Sequence, residues 1–428
     1  MRTQRLVVLM AAFALLVMSV GFAGAQENVT IRWWTIYTTP PELPALAETL
    51  AQEFMDANPG VTIEITHLEN EAFKERLATV MQAGDPPDIF QSWGGGVLWN
   101  FAQAGLLRDI TPELTADDSA WQNSFSAQAA LNLYSYEEAY YGVPLTFGAV
   151  GMWYNTRLFA EAGIEQVPTT WSEFLATVEQ LKAAGITPIT LGARDKWPSH
   201  FWWVYLAIRE GGQAAFEAAY TREGSFADAP FVAAGERLLE LNALEPFQTD
   251  FTAMGYGQAA GIMGNGEAAM ELMGQWSPGV QQGNSTSGEG LPPGELGWFP
   301  FPMIEGGAGD PTDVLGGGDG FAVGVNAPDA AIEFLKYLTT PEVQERYVDL
   351  GVGFIPTVAE AEDAVTDPLL LAIMAARNDA SYYQLYYDQF LPPAIAQTVL
   401  DSVEALLVGA ATPEAAAQAI EDVASFEL

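Results

Sequence analysis

Strand-like and helix-like segments alternate from Val29 to Leu106, and that alternation constrains the fold more than any other feature of the chain. Residues 29–37 (VTIRWWTIY) are mostly β-branched and aromatic, the composition of a strand. Apolar residues then recur at helical spacing over 46–57 and stop at Asn58-Pro59-Gly60. A second strand follows over 61–66 and a helix over 73–83. A third strand at 88–90 comes after the Pro86-Pro87 break, and a further helix spans 98–106. This order predicts an α/β domain with parallel strands.

The pattern then changes. Residues 121–139 read as mostly helical, and 141–154 as extended but too glycine-rich for one plain strand. A second α/β run predicts a helix over 171–184, a strand over 186–191, and helices over 200–209 and 231–241. Residues 261–275 hold a helix and a strand, 283–294 are a Gly/Ser/Pro-rich loop, and 297–302 are extended again. A glycine loop from Gly316 runs into a strand ending near Val325, and from Ala330 the chain reads as almost all helix. At ~100–200 residues per domain, 428 residues correspond to two or three domains.

Composition removes whole classes of function. With 55 acidic against 16 basic residues the net charge is −39, so the basic footprint of a nucleic-acid binder is missing. There is no cysteine, which excludes disulfides, thiol nucleophiles and cysteine metal sites. The two histidines, His67 and His200, are too few for a His₃ zinc centre. No metal and no cofactor is expected. The 49% hydrophobic content excludes wholesale disorder.

Residues 1–25 read as a signal peptide. Arg2 and Arg5 precede an apolar run from Leu6 to Val20, and Ala23-Gly24-Ala25 is a small-x-small cleavage site. The run falls short of the ~20 residues that span a bilayer. The expected product begins near Gln26, is secreted to the periplasm or beyond, and carries no cysteine for a lipid anchor.

Several aromatic and polar residues stand where ligands bind in open α/β sheets, beyond the carboxyl ends of strands. Trp33 and Trp34 end the first strand, and Gln91 and Trp93 follow the third, with three glycines behind them. Trp276 follows a probable strand and precedes Ser277-Pro278-Gly279. Indole rings suit the apolar faces of sugars, while amides and carboxylates bond the hydroxyls. Asp319 lies among glycines, where a lone carboxylate can take two hydroxyls. In the stretch 195–203, Trp197 and His200 are site candidates, and Trp202 and Trp203 fit the buried face of a helix. For each of these residues, packing or capping is the competing explanation.

In order and spacing, Pro87–Gln91, Tyr141–Pro144, Trp153–Phe159, Pro168–Phe174, Leu181–Gly192, Gly266–Met270 with Gly274–Trp276, Glu333–Glu342 and Gly353–Pro356 resemble the extracellular solute-binding proteins of ABC importers, in the carbohydrate group related to maltose-binding protein. The resemblance covers nearly the whole chain. It implies a two-lobe α/β fold of the periplasmic-binding-protein type with a hinged inter-lobe cleft and a mostly helical C-terminal region. Lobe 1 would comprise 26–146 plus 301–328, and lobe 2 would comprise 147–300 plus 329–428. Crossings are expected near Pro144–Ala149, Phe299–Pro302 and Asn326–Ala330. The implied ligand is a sugar or small oligosaccharide, the implied partner the membrane permease subunits, and the implied state a monomer. Trp33, Trp34, Gln91 and Asp319 would line the first lobe's wall, and Trp276, Trp197 and His200 the second's. Asp388, after Tyr386-Tyr387, falls where relatives approach ligand. The alternatives are a non-sugar solute in the same fold, or a glycoside hydrolase, which needs two carboxylates ~5–10 Å apart.

Overall fold

A computed structural model describes residues 28–126 and 128–428; the expected leader lies outside the described residues. Two sheets organise the chain. The first is built from β1 (Val29–Thr35), β2 (Val61–His67), β3 (Ile89–Ser92), β4 (Gly142–Ala149), and later β9 (Val314–Val323) and β10 (Tyr383–Leu385). Its order is β10-β9-β3-β1-β2, with β4 also on β9. β1 is parallel to β2 and β3, as the strand–helix alternation predicts, and β9 runs antiparallel to β3 and β4. The second sheet, β8-β5-β7-β6, comprises β5 (Gly151–Asn155), β6 (Thr187–Ile189), β7 (Ala268–Met273) and β8 (Leu296–Phe299).

Each sheet buries its own core. Ile31, Trp33, Val143, Phe321 and Phe334 pack in the first. Trp153, Phe174, Trp202, Trp203 and Met270 pack in the second. The helix Trp171–Ala183 shows how the sequence sets these elements: Thr170 and Glu173 form a reciprocal capping box at its start. It then presents Trp171, Phe174, Val178 and Leu181 inward. Trp202 and Trp203 are buried, as their helical spacing predicts.

Two expected boundaries change. Helices Asp329–Leu338 and Pro341–Asp349 pack into the first core through Ile332, Phe334, Leu335, Val343 and Tyr347, so this stretch belongs with the first lobe rather than the second. Residues 301–313 go the other way: the Phe301 ring stacks on Tyr205 at 4.5 Å, inside the second core. The buried Arg209 holds that stretch by donating to the carbonyls of Phe301 (2.9 Å), Pro302 (3.2 Å), Asp310 (3.1 Å) and Asp313 (2.7 Å).

The chain crosses between lobes at three adjacent places. β4 passes into β5 at Val150, whose N–H donates to the Leu315 carbonyl at 2.8 Å. β9 enters the first sheet beside it, with Gly316 opposite Ala149. β10 lies on the far side of β9, with Leu385 opposite Gly316, and leads back to the second core through Tyr386 and Tyr387. The return to the second core therefore comes after Val358, within 365–391, and not near Asn326–Ala330.

Candidate functional site

Consecutive residues of a strand face opposite sides, and this separates Trp33 from Trp34. Trp33 is fully buried beneath the sheet, edge-on to Phe321 and Phe334 at 5.5 and 5.1 Å. It is a core ring, and its expected place on a ligand wall is corrected. Trp34 packs on the other face, with the Arg76 guanidinium 4.6 Å above it.

The mouth of the first sheet is formed where β3 ends and β9 crosses it. Gly94 and Gly95 adopt φ of 70° and 67°, and a Cβ on Gly94 would stand 2.6 Å from the Leu133 carbonyl oxygen. Only glycine fits this sharp exit, which leaves Trp93 half-exposed at the turn. β9 pairs with β4 through Asp319, opposite Thr146, and the register shifts between Asp319 and Gly320. Such an irregularity re-aims the side chain beside it.

Asp319 is half-buried, and burial pushes its carboxyl up to about 7 against the opposing pull of a hydrogen bond from Trp93. Its charge also reaches Tyr37, Tyr134 and Tyr386, whose hydroxyls are raised chiefly by their own burial. Tyr37 and Tyr134 are packed in the first lobe's cores, the Tyr134 hydroxyl donating to the Ser92 carbonyl at 2.7 Å, which leaves Trp93 and Tyr386 as the aromatic side chains beside the carboxylate. Trp93, Gly317, Tyr386 and Phe390 line a small recess beside it.

The second lobe meets this mouth from the other side. Trp197 begins the helix Trp197–Tyr220 and packs edge-on to Tyr256 at 4.8 Å. The Lys74 ammonium sits 5.5 Å from the Trp93 ring and 5.9 Å from the Trp197 ring, so one cation stands between indoles of the two lobes. His200 is fully buried, with Nδ1 2.6 Å from the Trp197 carbonyl and Nε2 3.4 Å from the Asp388 carboxylate. A carbonyl only accepts, so Nδ1 carries the proton and donates. Burial lowers the His200 pKa and outweighs the pull of Asp388, which leaves Nε2 an acceptor facing an acceptor. Trp276 is half-buried; its ring covers Gly274 and stands edge-on to Tyr386 at 6.3 Å.

Among the described residues, the buried Gln91 Nε2, Trp197 Nε1 and Tyr386 hydroxyl have no hydrogen-bond partner. An unpaired buried polar atom costs about 1–3 kcal/mol, which a hydroxyl-rich ligand would recover. Gln91, Trp93 and Asp319 come together through β3 and β9, and His200 and Asp388 through their contact. Lys74 escaped the sequence reading. Lys74 lies on the helix that follows β2, and nothing local to it points to the two indoles it meets. His67 is held by Thr35, whose Oγ1 lies 2.7 Å from Nδ1.

Behind Trp276, the buried Glu271 of β7 accepts from Ser277 Oγ at 2.6 Å and Gln281 Nε2 at 2.8 Å. Burial pushes its carboxyl up to about 7 from 4.5. A folded-state pKa above the unfolded one means that the folded protein holds the proton more tightly. Stability is then greatest below about 4.5, falls as pH rises, and levels off above 7. Glu271→Gln should remove a loss on the order of 3 kcal/mol between those limits. Melting curves of both proteins from pH 4.5 to 8 check it: their difference should grow up to pH 7 and then stay constant. A constant difference throughout would show that Glu271 is ionised at all these pH values.

The family model for bacterial extracellular solute-binding proteins matches residues 38–345. A multiple sugar-binding protein of Streptococcus mutans is 26% identical over 84% of this chain and 82% of its own length. A solved chitin oligosaccharide binding protein superposes with a TM-score of 0.83 at 28% identity, covering 93% of this chain and 98% of that one. A structure tied to xylan utilization by the thermophilic bacterium Caldanaerobius polysaccharolyticus gives a TM-score of 0.84 at 26% identity, over 92% of this chain and 100% of that one. With two α/β lobes, three adjacent crossings and a family match over most of its length, the chain belongs to the bacterial extracellular solute-binding proteins.

Proposed function

We propose that this protein captures a sugar or small oligosaccharide between its lobes, outside the cytoplasmic membrane, and delivers it to the permease subunits of an ABC importer. The observation that carries this reading is the Asp319 carboxylate bonded by Trp93 and close to Tyr386, beside the recess that Trp93 and Tyr386 line. A carboxylate accepts hydroxyl donors, and rings receive the apolar faces of a pyranose. The unpaired atoms of Gln91, Trp197 and Tyr386 fit the same ligand. So does the gap between His200 and Asp388, where a donor hydroxyl would relieve two facing acceptors. Sugar-binding relatives across most of the chain's length support the class of ligand. The protein acts as a monomer without a lipid anchor in this reading.

Thermal-shift screening against mono- and oligosaccharides, followed by calorimetry, tests it. A ligand at 100 times its Kd stabilises by about 2.7 kcal/mol. Amino acids, polyamines and peptides serve as the contrasting arm; a shift with these and none with sugars overturns the sugar reading. Chromatography of the incubated sugar tests for a hydrolase, which would convert it.

Trp276 gives a finer test. Trp276→Ala should weaken sugar binding about tenfold to hundredfold, the value of roughly 1–3 kcal/mol of stacking and buried area. The melting temperature without ligand should change little, since the ring is half-buried at the head of a helix. Unchanged affinity with a large melting loss would assign Trp276 to the core.

A further inference from the structure

The helix Ser277–Asn284 belongs to the second lobe, because Glu271 ties Ser277 and Gln281 to β7. Its opposite side faces the first lobe. A Cβ on Gly279 would lie 2.8 Å from the Val352 Cβ and 2.9 Å from the Val352 carbonyl oxygen. One turn further on, a Cβ on Gly283 would lie 2.0 Å from Thr39 Oγ1 and 3.0 Å from the Pro40 Cα. Thr39 and Pro40 follow β1, and Val352 follows the helix Pro341–Asp349 in the first core. Residues four apart lie on one face of a helix, so both glycines look the same way, at the other lobe.

The helix also runs away from the hinge. At its start, a Cβ on Gly353 would meet the Gln275 carbonyl oxygen at 1.9 Å, and one on Gly148 of β4 would meet the Gln275 side chain at 2.4 Å. Its far end reaches the loop after β1. Rotation about the crossings therefore moves Gly283 further than Gly279, and Gly279 further than Gln275. Lys74 over Trp197 is a second contact between the lobes, on a different pair of elements.

We infer that the Gly279–Gly283 face is the second lobe's half of a closure contact, and that Gly283 is an affinity-determining residue that touches no ligand: its missing side chain lets the lobes meet at Thr39-Pro40. This rests on the two-lobe trap but not on the ligand being a sugar. A larger residue at 283 would oppose the closed state and weaken every ligand alike, since a ligand gains affinity only through its preference for that state.

Gly283→Ala, Gly283→Val and Gln282→Val in the full mature chain test it against each sugar, amino acid, polyamine or peptide that shifts the wild-type melting temperature in the ligand screen. Gly283→Val should weaken each of these compounds by the same factor, tenfold or more, and Gly283→Ala by a smaller one, while Gln282→Val, one position round the helix, should bind as the wild type does. The melting temperature without ligand should be the same in all of them. Wild-type affinity in Gly283→Val, or a loss that differs from one compound to the next, would overturn the inference. The same uniform loss seen with a compound other than a sugar would leave it standing and overturn the sugar reading, so the two fail separately.

Discussion

Trp33→Ala should destabilise the protein by about 3–5 kcal/mol, the cost of emptying a large buried ring from a core. Its partners cannot close the gap: Phe321 is fixed in β9 and Phe334 in the helix above it, each edge-on to the indole. The sugar affinity of the protein that still folds should stay at the wild-type value, because the ring lies beneath the sheet, away from the mouth. Urea unfolding and calorimetry on the same sample check both halves. Lost affinity with unchanged stability would return Trp33 to the ligand wall. Trp276→Ala should do the opposite, because Trp33 points into the core from within β1 whereas Trp276 is half-buried at the head of a helix.

Asp319→Asn should have the largest effect on binding. The amide keeps the shape but replaces an acceptor oxygen with a donor, and hydrogen bonds to a charged group contribute about 1.5–3 kcal/mol each. Affinity should fall about a hundredfold or more. The wild type should also bind more tightly as pH rises from 6 to 8. Its carboxyl titrates at about 7 because of burial, and only the ionised form offers all its lone pairs to hydroxyls. The asparagine variant should show no such slope. Calorimetric titrations at three pH values measure both effects, and a wild-type affinity flat across that range would mean that Asp319 does not contact the ligand.

The fold was largely legible because each strand and helix carries its own periodicity. β1, β2 and β3 and the helices between them follow directly from apolar spacing and the Pro and Gly breaks. What a helix's spacing does not contain is which sheet its apolar side will meet. Ile332, Leu335 and Leu338 mark the helix Asp329–Leu338 as half-buried, yet only the tertiary structure shows them against Trp33 and Phe321. The site divides in the same manner. Asp319 was visible as a lone carboxylate among glycines, and Gln91 and Trp93 as the exit of a strand. Trp33 and Trp34 were not separable, since both are indoles and the choice of face depends on the register against β3. Lys74 had no signal at all: Trp93 reaches it through the packing of the first lobe, and Trp197, from the second lobe, meets it only across the cleft.

The three crossings form one hydrogen-bonded ribbon, with β9 flanked by β4 on one side and β10 on the other. Three separate tethers would let the lobes wobble in any direction. Strands stitched edge to edge behave instead like the spine of a book. They flex across their width, but sliding one past its neighbour would break the rungs that join Val150 to Leu315 and Val314 to Tyr382. The molecule is thereby left with one easy path and little freedom to stray from it. Closure about such a spine would bring the same side chains to the same places each time.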